Sequence, residues 1–377
     1  MNTMVLTLED RIDLIKDWLL NSGIQSKEGG FYAWQDMEEG SRAYLYSEIT
    51  GYAITTLCFL YAITKNKVFI DRAKRAAEWI LRDALDPGGG VLTRKYLDNV
   101  VEHYSFERGN IYSFDCAMAA FGMLKLYKAT RDNTYLDCAE KITGFLNKKM
   151  LKDNGLYYPL FDTKNGTAGE DTKKWSTQSG SFHSKLALCL CDLADIKDDP
   201  SYDLKAKRLI DSSTKCFYKE ERFFTNSLDH TSHLHPYSYT LEGMLYYAFK
   251  RRDDSYKEKI EKAFNWAVGL QDQNGGFPTQ VFGDGKPDVV YQRSDIQAQV
   301  LRLSYFIGSG LDRERLIKRM LELQNLSLDK KGGFIFGTDT DGSFKKHSNA
   351  WCSMFALQAL YLAAGRIKKD TVLEYLI

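Results

Sequence analysis

Apolar positions along the chain fall at helical spacing, in two alternating kinds of stretch. Leu8 to Leu20 is amphipathic, with Ile12, Leu14, Ile15, Trp18 and Leu19 as its apolar side. The next periodic stretch, Ser47 to Ile63, is apolar nearly all round, carrying Ile49, Ala53, Ile54, Leu57, Phe59 and Leu60. A helix without a polar face is buried on all sides. The alternation then repeats. Phe69 to Leu85 is amphipathic and Ser113 to Tyr127 apolar; Tyr135 to Leu146 and Ser181 to Ala194 follow the same rule, as do Tyr202 to Ser213 and Tyr237 to Phe249. Tyr256 to Leu270 with Ser294 to Ile307, and Asp312 to Leu323 with Asn349 to Ala363, complete six pairs.

Between the two helices of each pair lies a similar turn. Gly29-Gly30-Phe31, Gly88-Gly89-Gly90-Val91, Asn154-Gly155-Leu156, Arg222-Phe223, Asn274-Gly275-Gly276-Phe277 and Gly332-Gly333-Phe334 hold equivalent places, the fourth without glycines. The apolar residues that follow are 60, 65, 67, 54 and 57 residues apart, a period that marks a repeat architecture. Joins between pairs are short, as at Tyr61–Asn66 and Tyr127–Asp132, so neighbouring helices run antiparallel. Twelve such helices close into an all-α (α/α)6 toroid, apolar helices inside and amphipathic ones outside; an open helical solenoid is the alternative, but it must cap its exposed ends. One toroid domain over residues 1–377 is expected. The links from each outer helix to its inner partner run to roughly 20–30 residues, and loops beyond about 12–15 are usually functional. All six open on one end of the ring, which is where a site is expected.

Composition narrows the partners. Lys and Arg total 51 against 50 Asp and Glu, which gives no basis for a nucleic-acid or anionic-membrane partner. No apolar run reaches the ~18 residues of a membrane span. Met1 to Asp10 lacks the pattern of a signal peptide, so a cytoplasmic protein is expected. The seven cysteines are scattered, and Cys58, Cys116, Cys189 and Cys191 fall inside helical patterns, as buried free thiols would. No Cys-x-x-Cys, phosphate loop or Gly-x-Ser-x-Gly elbow is present. His230-x-x-His233-x-His235 is the one histidine cluster with zinc-like spacing, but nothing nearby completes a ligand set, and neither metal nor cofactor is expected.

The starts of the apolar helices hold the candidate chemistry, because helix N-termini converge there with free N–H groups. Ser47, Ser113 and Ser294 stand where N-caps are expected. Among them lie Glu48, Tyr112, Asp115, His183, Lys185, His235, Tyr237, Glu242, Arg293, Asp295, His347, Asn349 and Trp351. The loops add aromatics such as Trp34, Tyr44, Tyr46 and Trp175, flat faces on which sugar rings stack. Glycoside cleavage needs a carboxylic acid at the leaving oxygen and a second group opposite. Asp115, Glu48, Glu242 and Asp295 are the catalytic candidates. His183, His235, Tyr237, Arg293, His347, Asn349, Trp351, Tyr112 and Trp34 are expected to bind substrate, with Arg293 or Arg108 holding a carboxylate as a bidentate pair. If the reaction is proton removal beside a uronate carboxylate, Tyr or His becomes the base.

These residues resemble the six-hairpin glycosidase superfamily, which includes unsaturated glucuronyl and rhamnogalacturonyl hydrolases and N-acylglucosamine 2-epimerases. Phe114-Asp115-Cys116-Ala117-Met118 is similar to the Asp-x-x-Met stretch of the unsaturated-uronide hydrolases, and that resemblance implies Asp115 as the group that protonates the vinyl ether and activates water. Gln271-Asp272-x-Asn274-Gly275-Gly276-Phe277 also resembles repeats of terpenoid cyclases and protein prenyltransferases, though their Asp-x-Asp-Asp motif is absent. The expectation is a carbohydrate-active enzyme hydrolysing a glycan or uronide by carboxylate acid/base catalysis. Sugar epimerase or lyase, isoprenoid cyclase or transferase, and non-catalytic glycan binder or scaffold are the alternatives.

Overall fold

The computed structural model describes residues 6–42, 44–96, 109–288, 292–308, 310–327, 331–339 and 341–377. In chain order the α-helices are α1 (Leu8–Asn21), α2 (Ser47–Thr64), α3 (Lys67–Trp79), α4 (Ser113–Thr130), α5 (Asn133–Phe145), α6 (Ala187–Lys197), α7 (Pro200–Phe217), α8 (Leu234–Arg251), α9 (Lys257–Val268), α10 (Ser294–Ser304), α11 (Arg313–Glu322), α12 (Ala350–Ala363) and α13 (Lys369–Glu374). The twelve expected helices are present within a few residues of their predicted bounds. The even-numbered helices form the inner wall of an (α/α)6 toroid and the odd-numbered ones from α1 to α11 the outer wall. The third inner helix differs at its start, where Ser181–Leu186 is wound as a 3₁₀ helix before α6 begins.

The short joins have a common construction. Four inner helices, α2, α4, α6 and α8, end on a left-handed residue, Lys65, Arg131, Asp198 or Arg252, with φ of 57°, 63°, 52° and 50°. The next residue, Asn66, Asp132, Asp199 or Asp253, accepts a backbone N–H two positions on, at 2.9–3.1 Å. One residue reverses the chain and its neighbour caps the outgoing helix, so two suffice.

The turns after the outer helices fix the depth of each hairpin. Phe31, Val91, Leu156, Phe223, Phe277 and Phe334 are all at most 4% exposed. Their backbone N–H groups are received by side chains four residues into the adjacent inner stretch: Phe31 by Thr50 (3.0 Å), Val91 by the Cys116 sulfur (3.3 Å), Phe277 by Gln297 (3.0 Å) and Phe334 by Ser353 (2.8 Å). The glycine-free fourth copy reaches the same end with Glu220 and Glu221 at positive φ and Phe223 directed at the Tyr237 hydroxyl.

Five of the six inner helix starts are stapled to the loop of the next hairpin by a backbone bond. Ser47 N bonds Thr93 O (3.0 Å), Ser113 N bonds Pro159 O (3.0 Å), Leu234 N bonds Thr279 O (2.9 Å) and Ser294 N bonds Phe336 O (2.9 Å). Ala350 N then bonds Ala33 O at 2.9 Å, which carries the series back to the first hairpin and closes the ring. Short antiparallel pairings reinforce it, among them Tyr44–Tyr46 with Arg94–Tyr96 and His347–Asn349 with Trp34–Asp36. These bonds correct the expected role of the three serines. The N-caps are Tyr46, Tyr112 and Arg293, none making a side-chain capping bond. The Ser47 hydroxyl donates to Leu92 O, that of Ser294 to Ile335 O (2.6 Å), and that of Ser113 meets His183.

The inner helices approach closely where side chains are absent. A Cβ on Gly51 would lie 2.7 Å from the Met118 carbonyl group, and one on Gly122 2.7 Å from Gly51 O. At the end opposite the loops, α13 brings Glu374 against Lys125 and Lys128, both at 2.9 Å. Among the described residues no helix is long and apolar enough to cross a membrane.

Candidate active site

A pocket of about 450 Å³ opens where the inner helices begin. Of the expected site residues, Glu48, Tyr112, Asp115, His235, Arg293 and Trp351 line it. Two centres of different chemistry face into it.

The first is the pair Glu48 and Asp115, second and third residues of α2 and α4. The two carboxyl groups interact directly. Burial, then the Glu48 charge, pushes Asp115 well above the usual carboxylate range, against the Thr93 hydroxyl donating to it and the nearby Arg94. Burial also raises Glu48, against Tyr46, Tyr52 and Arg94, which favour its charged form. Two carboxyls side by side and out of water hold a proton to higher pH than either would alone, as like charges so close resist ionising together.

The second centre is His235, in the first turn of α8. Its Nδ1 lies 2.8 Å from Gln299 Oε1 and 3.3 Å from Asp295 Oδ2. Both are acceptors, so Nδ1 carries the proton and Nε2 is the lone-pair side of the ring. Burial lowers its pKa to about 4, opposed by Asp295 and assisted by Arg293. Asp295 does not itself line the pocket. It holds three groups that do: His235, Arg293, whose Nε is 3.1 Å away, and Trp351, whose Nε1 donates at 2.9 Å. Burial works to raise Asp295, but Arg293, His235 and Trp351 outweigh it and the acid lies below its usual range.

The other expected residues lie elsewhere, each for a local reason. Glu242 is fully buried beneath the pocket, 2.7 Å from Lys185 and paired with Arg302. His183 accepts Gly180 N–H at Nδ1 (3.3 Å) and meets Ser113 Oγ at Nε2 (3.0 Å), tying two hairpins together. The Tyr237 hydroxyl donates to Ala263 O at 2.7 Å, joining α8 to α9. Asn349 caps α12 through Cys352 N at 3.1 Å. His347 and Trp34 form a layer behind the lining, with His347 stacked on Phe336 at 5.4 Å and Trp34 edge-on to Tyr44 at 5.2 Å. Arg108, Tyr104 and Tyr291 lie outside the described residues. His230 packs on Phe224 and His235 is engaged with Gln299 and Asp295. Among the described residues no three His, Cys, Asp or Glu side chains are placed to hold a metal.

Sequence reasoning missed Arg94, Lys173, Lys174, Asn226 and Phe336, which also line the pocket. Arg94 stacks on Tyr46, its guanidinium carbon 4.4 Å from the ring centroid, and Arg293 on Phe336 at 4.6 Å. These residues come from the strands and loops before the inner helices, where helical periodicity gives no signal. The pairing register, with Tyr46 opposite Arg94, is what carries Arg94 to the pocket wall.

A cellobiose 2-epimerase from Spirochaeta thermophila is 15% identical, with 99% of this chain and 100% of that one covered at a TM-score of 0.74. A D-mannose isomerase is 12% identical over 96% and 97% at 0.75, and an unsaturated glucuronyl hydrolase specific for heparin 14% identical over 96% and 98% at 0.67. The chain has the six-hairpin glycosidase-like fold. Within this toroid, residues 110–233 match the model of Glycosyl hydrolase family 76, a segment that contains Asp115. No curated protein matches the sequence.

Proposed function

We propose that this toroid is a carbohydrate-active enzyme that hydrolyses an acidic saccharide, with Asp115 and Glu48 as a proton-sharing acid/base pair. The observation that carries the reading is the direct contact of these two carboxyls in a pocket walled by Arg94, Arg293, Lys173 and Lys174. Glycosidases with two separate carboxylates hold them about 5–5.5 Å apart or about 6.5–9.5 Å apart. Asp295 and Glu242 do not line the pocket, which leaves the adjacent Glu48 and Asp115 as the carboxyls that face substrate. Such a pair suits hydration of an unsaturated uronide, in which one group serves in turn as acid and base. Asp115 gives its proton to C4 of the ring double bond, positive charge develops at C5, and water adds there as the pair takes back a proton. The resulting hemiketal opens and releases the rest of the chain. The cationic wall would bind the uronate carboxylate, and Trp351 and Tyr112 offer faces for the sugar ring. The match to a glycosyl hydrolase family over the segment bearing Asp115 supports the same reading.

A second reading is favoured by one arrangement, the neutral His235 oriented by Asp295. It would take a proton from carbon in an epimerase or lyase. General bases work best with a pKa near the working pH. His235, drawn down to about 4, is a weak acceptor, whereas burial and mutual repulsion let the carboxyl pair hold a proton to higher pH than ordinary carboxylates. The charged lining also fits an isoprenoid poorly. The test is incubation with unsaturated uronic-acid disaccharides and, separately, with neutral disaccharides in deuterated water. Loss of the double-bond ultraviolet absorbance with release of the second sugar supports the hydrolase. Intact uronides together with deuterium at C2 of a neutral sugar would establish the epimerase instead.

A further inference from the structure

Beneath the pocket, along the axis of the ring, lies a buried ionic group. Lys185, Glu242 and Arg302 are each 0% exposed. Lys185 Nζ is 2.7 Å from Glu242 Oε2, and Arg302 takes the other Glu242 oxygen while its Nη1 donates to Gln358 at 2.6 Å. Burying such charges is costly before pairing, and a hydrophobic trio would fill the same space. Their position relative to the pocket is specific. The Lys185 ammonium lies 4.1 Å from the Tyr239 ring centroid and 5.3 Å from that of Tyr52. Tyr239 lines the pocket, and Tyr52 is one helical turn below Glu48 on α2. The Tyr52 hydroxyl is turned toward Glu48 and Tyr239 but completes a well-formed hydrogen bond with neither. Two aromatic rings therefore separate a buried cation from the carboxyl pair.

We propose that Lys185, fixed by Glu242 and seated under Tyr52 and Tyr239, is a positioning residue that tunes the Glu48–Asp115 pair electrostatically. The proposal deepens the hydrolase reading and rests on the role assigned there to the pair. Other groups facing the pair are Tyr46 just before α2, Tyr52 from α2, Thr93 and Arg94 from the link before α4, and Tyr239 from α8. Lys185 in turn faces Glu242 and Arg302. A cation at this place favours the ionised form of Glu48, and Lys185 is among the groups that lower it. Burial, countered by Glu242 and reinforced by Arg302, brings Lys185 itself down to about 8, so the influence is present at neutral pH and fades above that value.

The test is a set of pH profiles of kcat/KM for the wild type, Lys185→Met, Lys185→Arg and Glu242→Gln. Removing the cation lets the pair hold its proton to higher pH, so the alkaline limb of Lys185→Met moves up by about one pH unit and meets the wild-type profile above about pH 8. Lys185→Arg keeps the limb in place. Glu242→Gln removes the anion that keeps Lys185 charged, so Lys185 gives up its proton at lower pH and the limb moves up as in Lys185→Met, which keeps the test if Lys185→Met does not fold. A lower rate with an unmoved limb in both Lys185→Met and Glu242→Gln would overturn the proposal and leave Lys185 a packing residue. Infrared titration of the protonated carboxyl band, assigned by its loss in Asp115→Asn, reads the same shift without substrate. If no saccharide is turned over, that titration still decides the Lys185 proposal, and only the hydrolase reading falls.

Discussion

At the scale of single residues, the pocket sets function against stability. Asp115 is raised above its unfolded value, so its ionised form destabilises the fold near neutral pH and the penalty is relieved as pH falls. Asp115→Asn removes that ionisation. We expect turnover to drop by about 10²–10⁴-fold, while the melting temperature at pH 7 rises and helical circular dichroism is unchanged. A variant that is both active and less stable than wild type would refute the assignment on both counts. Asp295 is predicted to behave differently, because it orients His235, Arg293 and Trp351 without facing the pocket. Asp295→Asn should raise KM roughly tenfold, in the range for lost supporting contacts, with kcat little changed. A collapse of kcat at constant KM would shift the chemistry to His235 and to the epimerase reading. Residue types at the inner helix starts were legible from the sequence, but their directions were not. Glu48 and Glu242 are both acidic residues of inner helices, yet Glu242 lies two turns into α8, deep enough to meet Arg302 rather than substrate.

At the scale of elements, the helices were legible because a helix buried on one side and a helix buried all round leave different periodicities. The staples between hairpins were not legible, since they join backbone groups far apart in sequence and every residue type offers the same N–H and C=O. The serines at those places look like caps for this reason. Ser294→Ala should cost about 1 kcal/mol, the value of one buried hydrogen bond to Ile335 O, and urea unfolding would measure it. An unchanged unfolding midpoint would mean that the bond to Ile335 O contributes nothing to the joint. The turns are a harsher test. Gly332 has φ of 113°, and a Cβ there would overlap the Leu14 carbonyl oxygen, a backbone atom that cannot rotate away. Gly332→Ala should therefore lose about 2 kcal/mol or more, whereas Gly342→Ala, at φ 83° with open space around it, should lose less. Equal losses would mean that strain at positive φ, and not the close approach of α1, is what the glycine relieves.

For the molecule as a whole, closure of the ring buries many titratable groups at once, and their pH windows separate. Glu242 and Asp295 are held below their usual range by cations, after burial has worked to raise them, so the stability they contribute is present above the unfolded carboxylate range and lost only in acid. The histidines act earlier. Burial draws His183 down to about 3 and His235 to about 4. An unfolded histidine takes up its proton near pH 6.5. Between that value and the folded one the unfolded chain binds more protons, so stability falls as pH falls. From pH 7.5 to 5.5 each of these two residues should cost about 1 kcal/mol, while the raised Glu48 and Asp115 act in the opposite direction. A wild-type melt alone would mix the two signs, so the informative comparison is His183→Gln, which keeps an acceptor for Gly180 and a donor for Ser113. Its stability should depend on pH over this interval less steeply than that of the wild type, by about 1 kcal/mol. The same slope in both proteins would mean that His183 gains its proton without opening the joint between the second and third hairpins, and that the ring yields locally where its staples require it to be rigid.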